Sequence, residues 1–416
     1  MAKPNRHGLA WDNPVCRRVL DLQPEEDCTV ELFSDQVIHR LYLVVIPSRQ
    51  QRLHLRASLP VDPYHKAMGE VATLEWVRHF TDIPVPYVIA FDPSSDNEIG
   101  FEWLLMPFIA GKTADKVWNK MSVTAKEAFT KQVAEFQAQL LDASETTSRL
   151  RGIGTLTSPF EKPGQLVSCH WLRGDHFGYD VPRGAFHSSR EWIDSHLRIT
   201  MLEVGSGYIC TQDEFLGTIE RQLKTAESLL DLIPTVFPAI DQPEQTAIYK
   251  SNLGLENILV DEEGTITGIL EWEYTSAMPC HHATELPLFL TEPIWPTYMD
   301  MDLAEARAGQ RPFFEVIREN QEKVKDRVEY EQTQLRKICT ERMGELRPTW
   351  DAEVAGSALK NDFINAACLC ADEEFLSPLG TWIRAVKNGE NVKLEDVLDT
   401  WDQQESSHGD GNHEGE

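Results

Sequence analysis

The residues best suited to chemistry surround a predicted hairpin of two short apolar strands, 258–260 and 265–270. The acidic turn between the two strands ends in glycine, which is a typical hairpin signal. Asn257 directly precedes the first strand, and Glu271 and Glu273 follow the second. Oxygen ligands at the ends of paired strands are what a magnesium–phosphate site needs. The alternative interpretation is a surface hairpin with a charged rim.

This stretch resembles the catalytic loop and metal strand of the aminoglycoside phosphotransferase/choline kinase superfamily, in particular its large fungal branch. The family run is His-x-Asp-Leu-x-x-x-Asn-Ile-Leu-Val-Asp, followed by Gly-x-x-x-Gly-Ile-x-Asp-Trp-Glu. The spacing matches throughout, but Lys250 stands in place of His, Asn252 in place of the base Asp, and Glu271 in place of the metal Asp. The resemblance implies catalytic positions at Lys250 and Asn252, and metal ligands at Asn257 and Glu271.

The three substitutions predict altered chemistry on a retained framework. In phosphoryl transfer, the loop Asp orients the acceptor hydroxyl, while an Asn and a second carboxylate hold magnesium. The amide of Asn252 has negligible basicity, and general-base assistance contributes about 10²- to 10⁴-fold. Glu271 is one methylene longer than Asp, and magnesium tolerates little geometric error. Lys250 adds a cation beside Asn252. Together these changes argue against an efficient kinase.

Upstream, alternating apolar and polar residues predict strands at 29–33, 40–46 and 52–58. By resemblance, the connection 34–39 is the loop that covers the nucleotide phosphates. It contains no glycine, although glycines allow backbone N–H groups to approach phosphate closely. This is a fourth departure from the family pattern.

A helix is predicted over 64–80, because apolar residues recur there at helical spacing and Ile83-Pro84 follows. The resemblance pairs Glu70 of this helix with Arg56 of the third strand, which would contact the nucleotide. Arginine can contact a phosphate but is not equivalent to lysine. The alternative is an ordinary surface salt bridge worth at most about 1 kcal/mol.

The apolar strand 101–108 would lead into the hinge between two lobes, where the resemblance places adenine against Met106, Pro107 and Ile109. Pro107 replaces an acidic residue that is usual in relatives. Proline keeps its carbonyl acceptor and loses only a donor, so this change alone does not abolish adenine binding. ATP and Mg²⁺ are the cofactors that the resemblance implies, and the substitutions predict that their binding is weak or lost.

The order of elements, strands first and helices afterwards, predicts an α+β protein with a bilobal, protein-kinase-like fold. A small antiparallel-sheet N-lobe would precede a larger, mainly helical C-lobe. The predicted divisions are an N-terminal extension (1–27), the N-lobe (28–110), the C-lobe (111–402) and a disordered acidic tail (403–416).

Two amphipathic helices are predicted in the C-lobe. The first starts with a capping-box pattern at Thr124, and its apolar face carries Phe129, Val133, Phe136 and Leu140. The apolar face of the second carries Phe215, Ile219, Leu223, Ala226 and Leu230. Between them, 150–195 resembles the family's acceptor-side insertion. Its candidate pocket residues are Trp171, His176, Phe177 and Arg183, and a packed loop is the alternative.

Composition disfavours several classes of function. The net charge of −28 opposes binding to nucleic acid or anionic lipid. Eight scattered cysteines without a Cys-x-x-Cys pair predict reduced thiols. No apolar run is long enough to span a membrane, and the N-terminal sequence has no signal-peptide core. We expect a cytoplasmic protein that binds a small molecule and has no nucleic-acid or membrane partner.

Three functions fit these observations. The first is a phosphotransferase-like protein with weak or lost phosphotransfer that acts as a ligand or nucleotide binder or as a regulator. The second is an active ATP-dependent small-molecule phosphotransferase with a hydroxyl or amine acceptor. The third is a non-kinase catalyst that uses Lys250, Glu271 or Glu273 in the same cleft. A fold alone does not choose among them.

Overall fold

The computed structural model describes residues 14–147, 149–208, 216–291 and 313–409. An N-lobe built on a five-stranded antiparallel sheet is followed by a mainly helical C-lobe that contains two small sheets. The predicted bilobal α+β, kinase-like fold is therefore confirmed.

The N-lobe sheet has the strand order β1-β2-β3-β5-β4. Its strands are β1 (Thr29–Asp35), β2 (His39–Ile46), β3 (Gln51–Ser58), β4 (Ala90–Asp92) and β5 (Glu102–Pro107). Alternate residues of a strand face the same side, so Val44 and Ile46 of β2 pack with Leu53 and Leu55 of β3 in one apolar cluster. A short helix, α1 (Pro14–Val19), packs against that cluster.

Helix α2 (His65–Phe80) lies between the N-lobe sheet and the C-lobe, and it agrees closely with the helix predicted over 64–80. Its apolar residues join a core cluster that continues into the C-lobe. Two charged residues of this helix, Lys66 and Glu70, are also buried. Helix α2 therefore places two charged side chains in the space between the lobes.

The C-lobe surrounds the predicted hairpin with helices. Its strands are β6 (Lys112–Thr113), β7 (Thr246–Tyr249), β8 (Ile258–Val260), β9 (Ile266–Ile269) and β10 (Ser276–Pro279). Strands β8 and β9 pair as predicted, β6 joins the other edge of β8, and β7 pairs with β10. The helices are α3 (Ala114–Val117), α4 (Val123–Thr146), α5 (Cys169–Leu172), α6 (Ser189–Tyr208), α7 (Leu216–Val236), α8 (Leu288–Thr291), α9 (Phe313–Leu346), α10 (Trp350–Leu369), α11 (Leu376–Lys387) and α12 (Leu394–Gly409).

Helix α4 corrects two details of the prediction. Its N-cap is Ser122, whose hydroxyl accepts a hydrogen bond from the backbone N–H of Ala125, so Thr124 is not the cap. Phe129 and Val133 are fully buried as predicted. Phe136 and Leu140 are only half-buried, whereas the neighbouring Leu141 is buried. The buried face is therefore rotated from the one that the apolar pattern predicted.

Helix α7 buries Ile219 and Ala226, while Leu223 and Leu230 are half-buried and Phe215 lies outside the described residues. Helix α12 runs from 394 to 409, past the start of the predicted tail. No disulfide bond joins any of the seven cysteines in the described ranges. Among the described helices, none is both long and apolar enough to cross a membrane.

Candidate functional site

Charged side chains from both lobes converge in the cleft. They come from the start of β2, from β3 and α2 in the N-lobe, and from the turn after β9 in the C-lobe. We call this group the ionic cluster, and its members are His39, Arg56, Lys66, Glu70, Glu271 and Glu273.

Arg56 and Glu70 form a buried ion pair in which the guanidinium Nη2 donates to a carboxylate oxygen of Glu70. The same Nη2 lies 3.3 Å from Oε1 of Glu273, and Nζ of Lys66 lies 3.6 Å from Oε2 of Glu273. All four side chains are buried. The alternative of a surface salt bridge is therefore wrong, because this pair is enclosed between the lobes.

His39 enters the cluster from the N-lobe, although the sequence did not single it out as a site residue. Its side chain is 2% exposed, with Nε2 3.5 Å from Oε1 of Glu271 and Nδ1 3.7 Å from Oε1 of Glu273. The turn before β2 positions it, because the N–H of Gln36 donates to the carbonyl of His39 over 3.0 Å. The available signal was an imidazole at the end of a loop that lacks glycine. Lys66 was missed as well, since no sequence pattern set it apart from other helix cations.

Lys250 connects the altered positions in the C-lobe. Its Nζ donates to Oδ1 of Asn252 over 2.6 Å and to the main-chain carbonyl of Glu271. Nδ2 of Asn257 donates to the carbonyl of Asn252 over 2.9 Å. The structure thus brings together all four residues that the resemblance placed at the catalytic and metal positions, and their roles remain predictions.

The turn after β9 directs two carboxylates into the cleft. Glu271 has a left-handed backbone with a φ of 55°, which costs a non-glycine residue of order 1 kcal/mol. Two hydrogen bonds hold the turn in this shape. The indole N–H of Trp272 donates to the carbonyl of Ile269 over 2.9 Å, and the N–H of Leu270 donates to that of Asn257 over 2.8 Å. The hairpin and the loop before it therefore fix where Glu271 points.

Burial governs the protonation of these groups. It raises the pKa of Glu271, against the opposing effect of Arg56. Burial opposes ionisation of Glu273 too, but the cations Arg56 and Lys66 hold its pKa below the ordinary value. The pKa of His39 is lowered by burial and by Arg56, which favours a neutral ring at pH 7. Burial also lowers the pKa of Lys250 to about 7.

The predicted hinge residues follow one another along the chain from β5 into the C-lobe. Met106 is buried and packs in the C-lobe cluster, whereas Pro107 and Ile109 are half-buried. Gly268 of β9 allows Ile109 to approach, because a Cβ at that position would lie 3.1 Å from its Cγ2. Their role in binding adenine remains a prediction.

A small apolar cavity lies in the C-lobe behind the catalytic loop, lined by Phe136, Leu140, Tyr249, Lys250, Leu253, Trp272 and other side chains. Its volume of about 50 Å³ is comparable to that of one or two water molecules. This cavity is too small for a nucleotide or a sugar. A second cavity, of about 480 Å³, is lined by residues of α6, α7 and the adjoining loops and includes no residue of the ionic cluster. The cleft between the lobes is the candidate site because the residues that the resemblance singles out lie there.

The four insertion residues divide between the two interpretations. Trp171 and His176 are buried, as a packed loop requires, whereas Phe177 is exposed. The guanidinium of Arg183 lies 4.0 Å from the centre of the Phe177 ring, so it stacks on another residue of the same insertion.

The cleft supplies some of the ligands that ATP and magnesium need. Asn257 and Glu271 offer oxygen donors of the kind that Mg²⁺ prefers. However, Oε1 of Glu271 also lies 3.5 Å from Nε2 of the imidazole of His39, a nitrogen donor that suits transition metals better. By resemblance, Arg56 of the third strand is the cation that would contact the nucleotide. Its guanidinium, however, is enclosed by carboxylates. The fit to a magnesium nucleotide is therefore partial.

The N-lobe and the first part of the C-lobe match a known protein family. Residues 29–197 match the sequence model of the "Phosphotransferase enzyme family". A subtelomeric hrmA-associated cluster protein of Aspergillus fumigatus is 28% identical over 79 residues, which cover 19% of this chain and 16% of that protein. Altered inheritance of mitochondria protein 9, mitochondrial, of Meyerozyma guilliermondii is 30% identical over 109 residues, 25% of this chain and 18% of that protein. The matched segments thus span less than a fifth of each relative.

Solved structures with similar folds were also found. The aminoglycoside phosphotransferase APH(4)-Ia aligns with a TM-score of 0.43 and 15% identity, covering 89% of this chain and 97% of that one. The ethanolamine kinase of Plasmodium vivax aligns with a TM-score of 0.44 and 11% identity, covering 93% and 85%. Because these TM-scores are low, the assignment rests on the family match. Over residues 29–197, the family match confirms the resemblance of this chain to the phosphotransferase enzyme family.

Proposed function

We propose that this chain is a phosphotransferase-like protein in which phosphoryl transfer is weak or lost, and which acts by binding a ligand in its cleft. The observation that carries the proposal is the hydrogen bond from Lys250 to Asn252. At the position of the family's base, the chain has a neutral amide whose oxygen already accepts a hydrogen bond from a buried cation. An acceptor hydroxyl would have to compete with that bond, and the amide cannot take up its proton.

The enclosure of Arg56 supports the same proposal. A phosphate-binding cation must present its N–H groups to the ligand. In this chain the guanidinium contacts Glu70 and Glu273 and is almost inaccessible. His39 stands in front of Glu271, at the side from which the phosphate loop would approach. A triphosphate bound where the resemblance places it would therefore have to separate Arg56 from its carboxylates and His39 from Glu271.

Ligand binding is supported by what the cleft retains. Asn257 and Glu271 keep oxygen donors at the two predicted metal positions, and the hinge keeps its carbonyl acceptors. These features also suit the second candidate, an active ATP-dependent phosphotransferase. A non-kinase catalyst is the third candidate, for which the buried ammonium of Lys250 beside the carbonyl of Glu271 is the specific observation.

The first test is a thermal-shift titration of the full chain with ATP, in the presence and absence of Mg²⁺, followed by measurement of ATP hydrolysis. The proposal of a ligand binder expects either no nucleotide shift or a shift without turnover. Magnesium-dependent turnover near 1 s⁻¹ or above, which is typical of kinases at about 1–100 s⁻¹, would instead establish the active phosphotransferase. If no nucleotide binds, Lys250→Met tested on the true ligand would separate the non-kinase catalyst from the binding protein.

Restoring the family's acids provides a sharper test. The double variant Asn252→Asp with Glu271→Asp should raise magnesium-dependent ATP turnover by roughly 10-fold or more, because both the base and the metal geometry are repaired. The loop without glycine limits the gain. The matched control is Asn119→Asp with Glu341→Asp, which makes the same chemical changes at exposed positions. Equal turnover in the two variants, with ATP binding retained, would show that these two residues do not cause the impairment.

A further inference from the structure

The ionic cluster contains five buried polar atoms that lack a hydrogen-bond partner within the described residues. They are Nδ1 and Nε2 of His39, Nε of Arg56 and both carboxylate oxygens of Glu273. An unsatisfied buried polar group is destabilising, so five in one place require an explanation. Ion-pair contacts from Arg56 and Lys66 at 3.3 and 3.6 Å reduce the cost for Glu273. No such contact from a cation reaches His39.

The positions of these atoms suit a metal ion. One ligand atom from each of His39, Glu271 and Glu273 can be chosen so that all three lie within 4.8 Å of one another. Two of the side chains are 2–3% exposed, and Glu271 is 26% exposed. The partial exposure of Glu271 therefore gives a metal ion access from solvent and leaves a coordination position for a further ligand. Three protein ligands with an open position are typical of a catalytic or exchangeable zinc site.

The charge balance around these ligands also favours a cation. The carboxylates that act on this space include Asp62, Glu70, Glu102, Glu271 and Glu273, against the cations Arg56, Lys66 and Lys250. With every group ionised, negative charges would outnumber positive charges in this region. A buried charge that is not compensated is costly, and a bound cation would offset the excess of negative charge.

We propose that His39, Glu271 and Glu273 form a metal site that holds Zn²⁺ or a similar transition metal in preference to Mg²⁺. The imidazole decides the class of metal, because nitrogen ligands suit zinc and its neighbours, whereas magnesium prefers oxygen alone. The site differs from the magnesium position implied by the family resemblance, since it excludes Asn257 and recruits His39 from the N-lobe. It does not depend on whether phosphoryl transfer is lost.

Metal binding at this site would join the two lobes. His39 starts β2 in the N-lobe, while Glu271 and Glu273 follow β9 in the C-lobe. A metal bound by all three would hold the phosphate side of the cleft closed. The thermal midpoint of the chain should therefore rise with Zn²⁺ and respond much less to Mg²⁺, because a ligand that binds only the folded state stabilises it.

The test is titration of the full chain with Zn²⁺, Mn²⁺ or Mg²⁺ by calorimetry, in a buffer without chelator or phosphate. We expect one equivalent of Zn²⁺ and at least 10-fold weaker binding of Mg²⁺. His39→Gln should weaken Zn²⁺ binding by at least 10-fold, while His79→Gln, an exposed histidine on helix α2, should leave it unchanged. If His39→Gln does not fold by circular dichroism, Glu271→Gln gives a second ligand variant at a partly exposed position.

A thiol site is the main competing explanation for bound zinc. Burial raises the pKa of Cys169, and the carboxylate of Glu273 adds to the rise. Because this thiol is close to the proposed ligands, Cys169→Ser is the matched control. Retained zinc binding in Cys169→Ser, and a Co²⁺-substituted protein without a sulfur charge-transfer band, would support the proposed ligands. Unchanged zinc binding in His39→Gln, loss of binding in Cys169→Ser, or no zinc binding by the wild type would overturn them.

Discussion

Two largely buried regions of this protein are chemically opposite. The ionic cluster lies between the lobes, and an aromatic cluster formed by Trp118, Phe129 and Phe289 lies within the C-lobe. The three aromatic rings pack edge to face, with centroids 5.3–5.7 Å apart, an arrangement that aromatic pairs prefer. Each ring has neighbours on its faces and edges, and none of the three is more than 3% exposed.

The difference shows what burial contributes in each region. Apolar rings are stabilised by leaving water, and they need no particular partner. Buried ions are stabilised only where partners replace the lost hydration, and His39 and Glu273 still lack hydrogen bonds within the described chain. The aromatic cluster therefore accounts for stability, whereas the ionic cluster is better explained by function.

The largest expected effect is at the centre of the aromatic cluster. Phe129→Ala should lower the free energy of unfolding by about 3–5 kcal/mol, because it leaves a cavity among well-packed rings. Urea denaturation measures the change, with exposed Val123→Ala on the same helix as the control, where less than about 0.5 kcal/mol is expected. A similar small loss for Phe129→Ala would mean that the rings do not support the C-lobe.

Breaking the ionic cluster should cost somewhat less. Glu70→Gln removes the carboxylate paired with Arg56 and should lower the free energy of unfolding by about 3 kcal/mol, because the remaining guanidinium is buried with an incomplete set of partners. Glu273 compensates for part of the loss, since it also contacts Arg56. The control is Glu75→Gln, exposed on the same helix. Equal stability of these two variants would contradict the view that burial makes this pair sensitive.

A third region sharpens the comparison, because burial opposes protonation of two of its histidine rings. The rings of His170 and His196 stack at 3.7 Å, beside His176, whose Nε2 lies 3.1 Å from a carboxylate oxygen of Glu203. Burial, followed by His176, lowers the pKa of His170 to about 4, below the unfolded value of about 6.5. Between these pH values the unfolded chain binds more protons, so stability falls as the solution is acidified.

For one such histidine the slope is at most about 1.4 kcal/mol per pH unit. Replacing it, as in His170→Phe, should therefore flatten the dependence of unfolding free energy on pH between about 6.5 and 4. Urea denaturation at several pH values measures this, with exposed His79→Gln as the control. An unchanged pH dependence in His170→Phe would show that this ring is not held neutral by burial.

The fold was predictable because several of its elements carry a local signal. Alternation defined strands β1 to β3, helical spacing defined α2, and the turn between β8 and β9 defined the hairpin. Local signals were less reliable where neighbouring residues compete. Ser122 and Thr124 are both good caps, and Leu140 and Leu141 are equally apolar. Only tertiary packing decides which cap forms and which leucine is buried.

The candidate site was predictable in its C-lobe half. Spacing and resemblance brought together Lys250, Asn252, Asn257 and Glu271, and the structure places them in contact or in sequence around one turn. The N-lobe half was not predictable to the same extent. The position of His39 depends on how closely the lobes approach, and that distance has no local signature in the sequence.

The tether formed by Lys250 has a consequence for how the cleft responds to ligands. One ammonium group joins the side chain of Asn252 to the backbone of the turn after β9. The C-lobe side of the cleft is therefore assembled before any ligand binds. Adaptation to a ligand then falls to the N-lobe, and above all to the short turn that carries Val37 at its exposed tip. In this protein, ligand binding would move the N-lobe turn over a C-lobe surface that is already assembled.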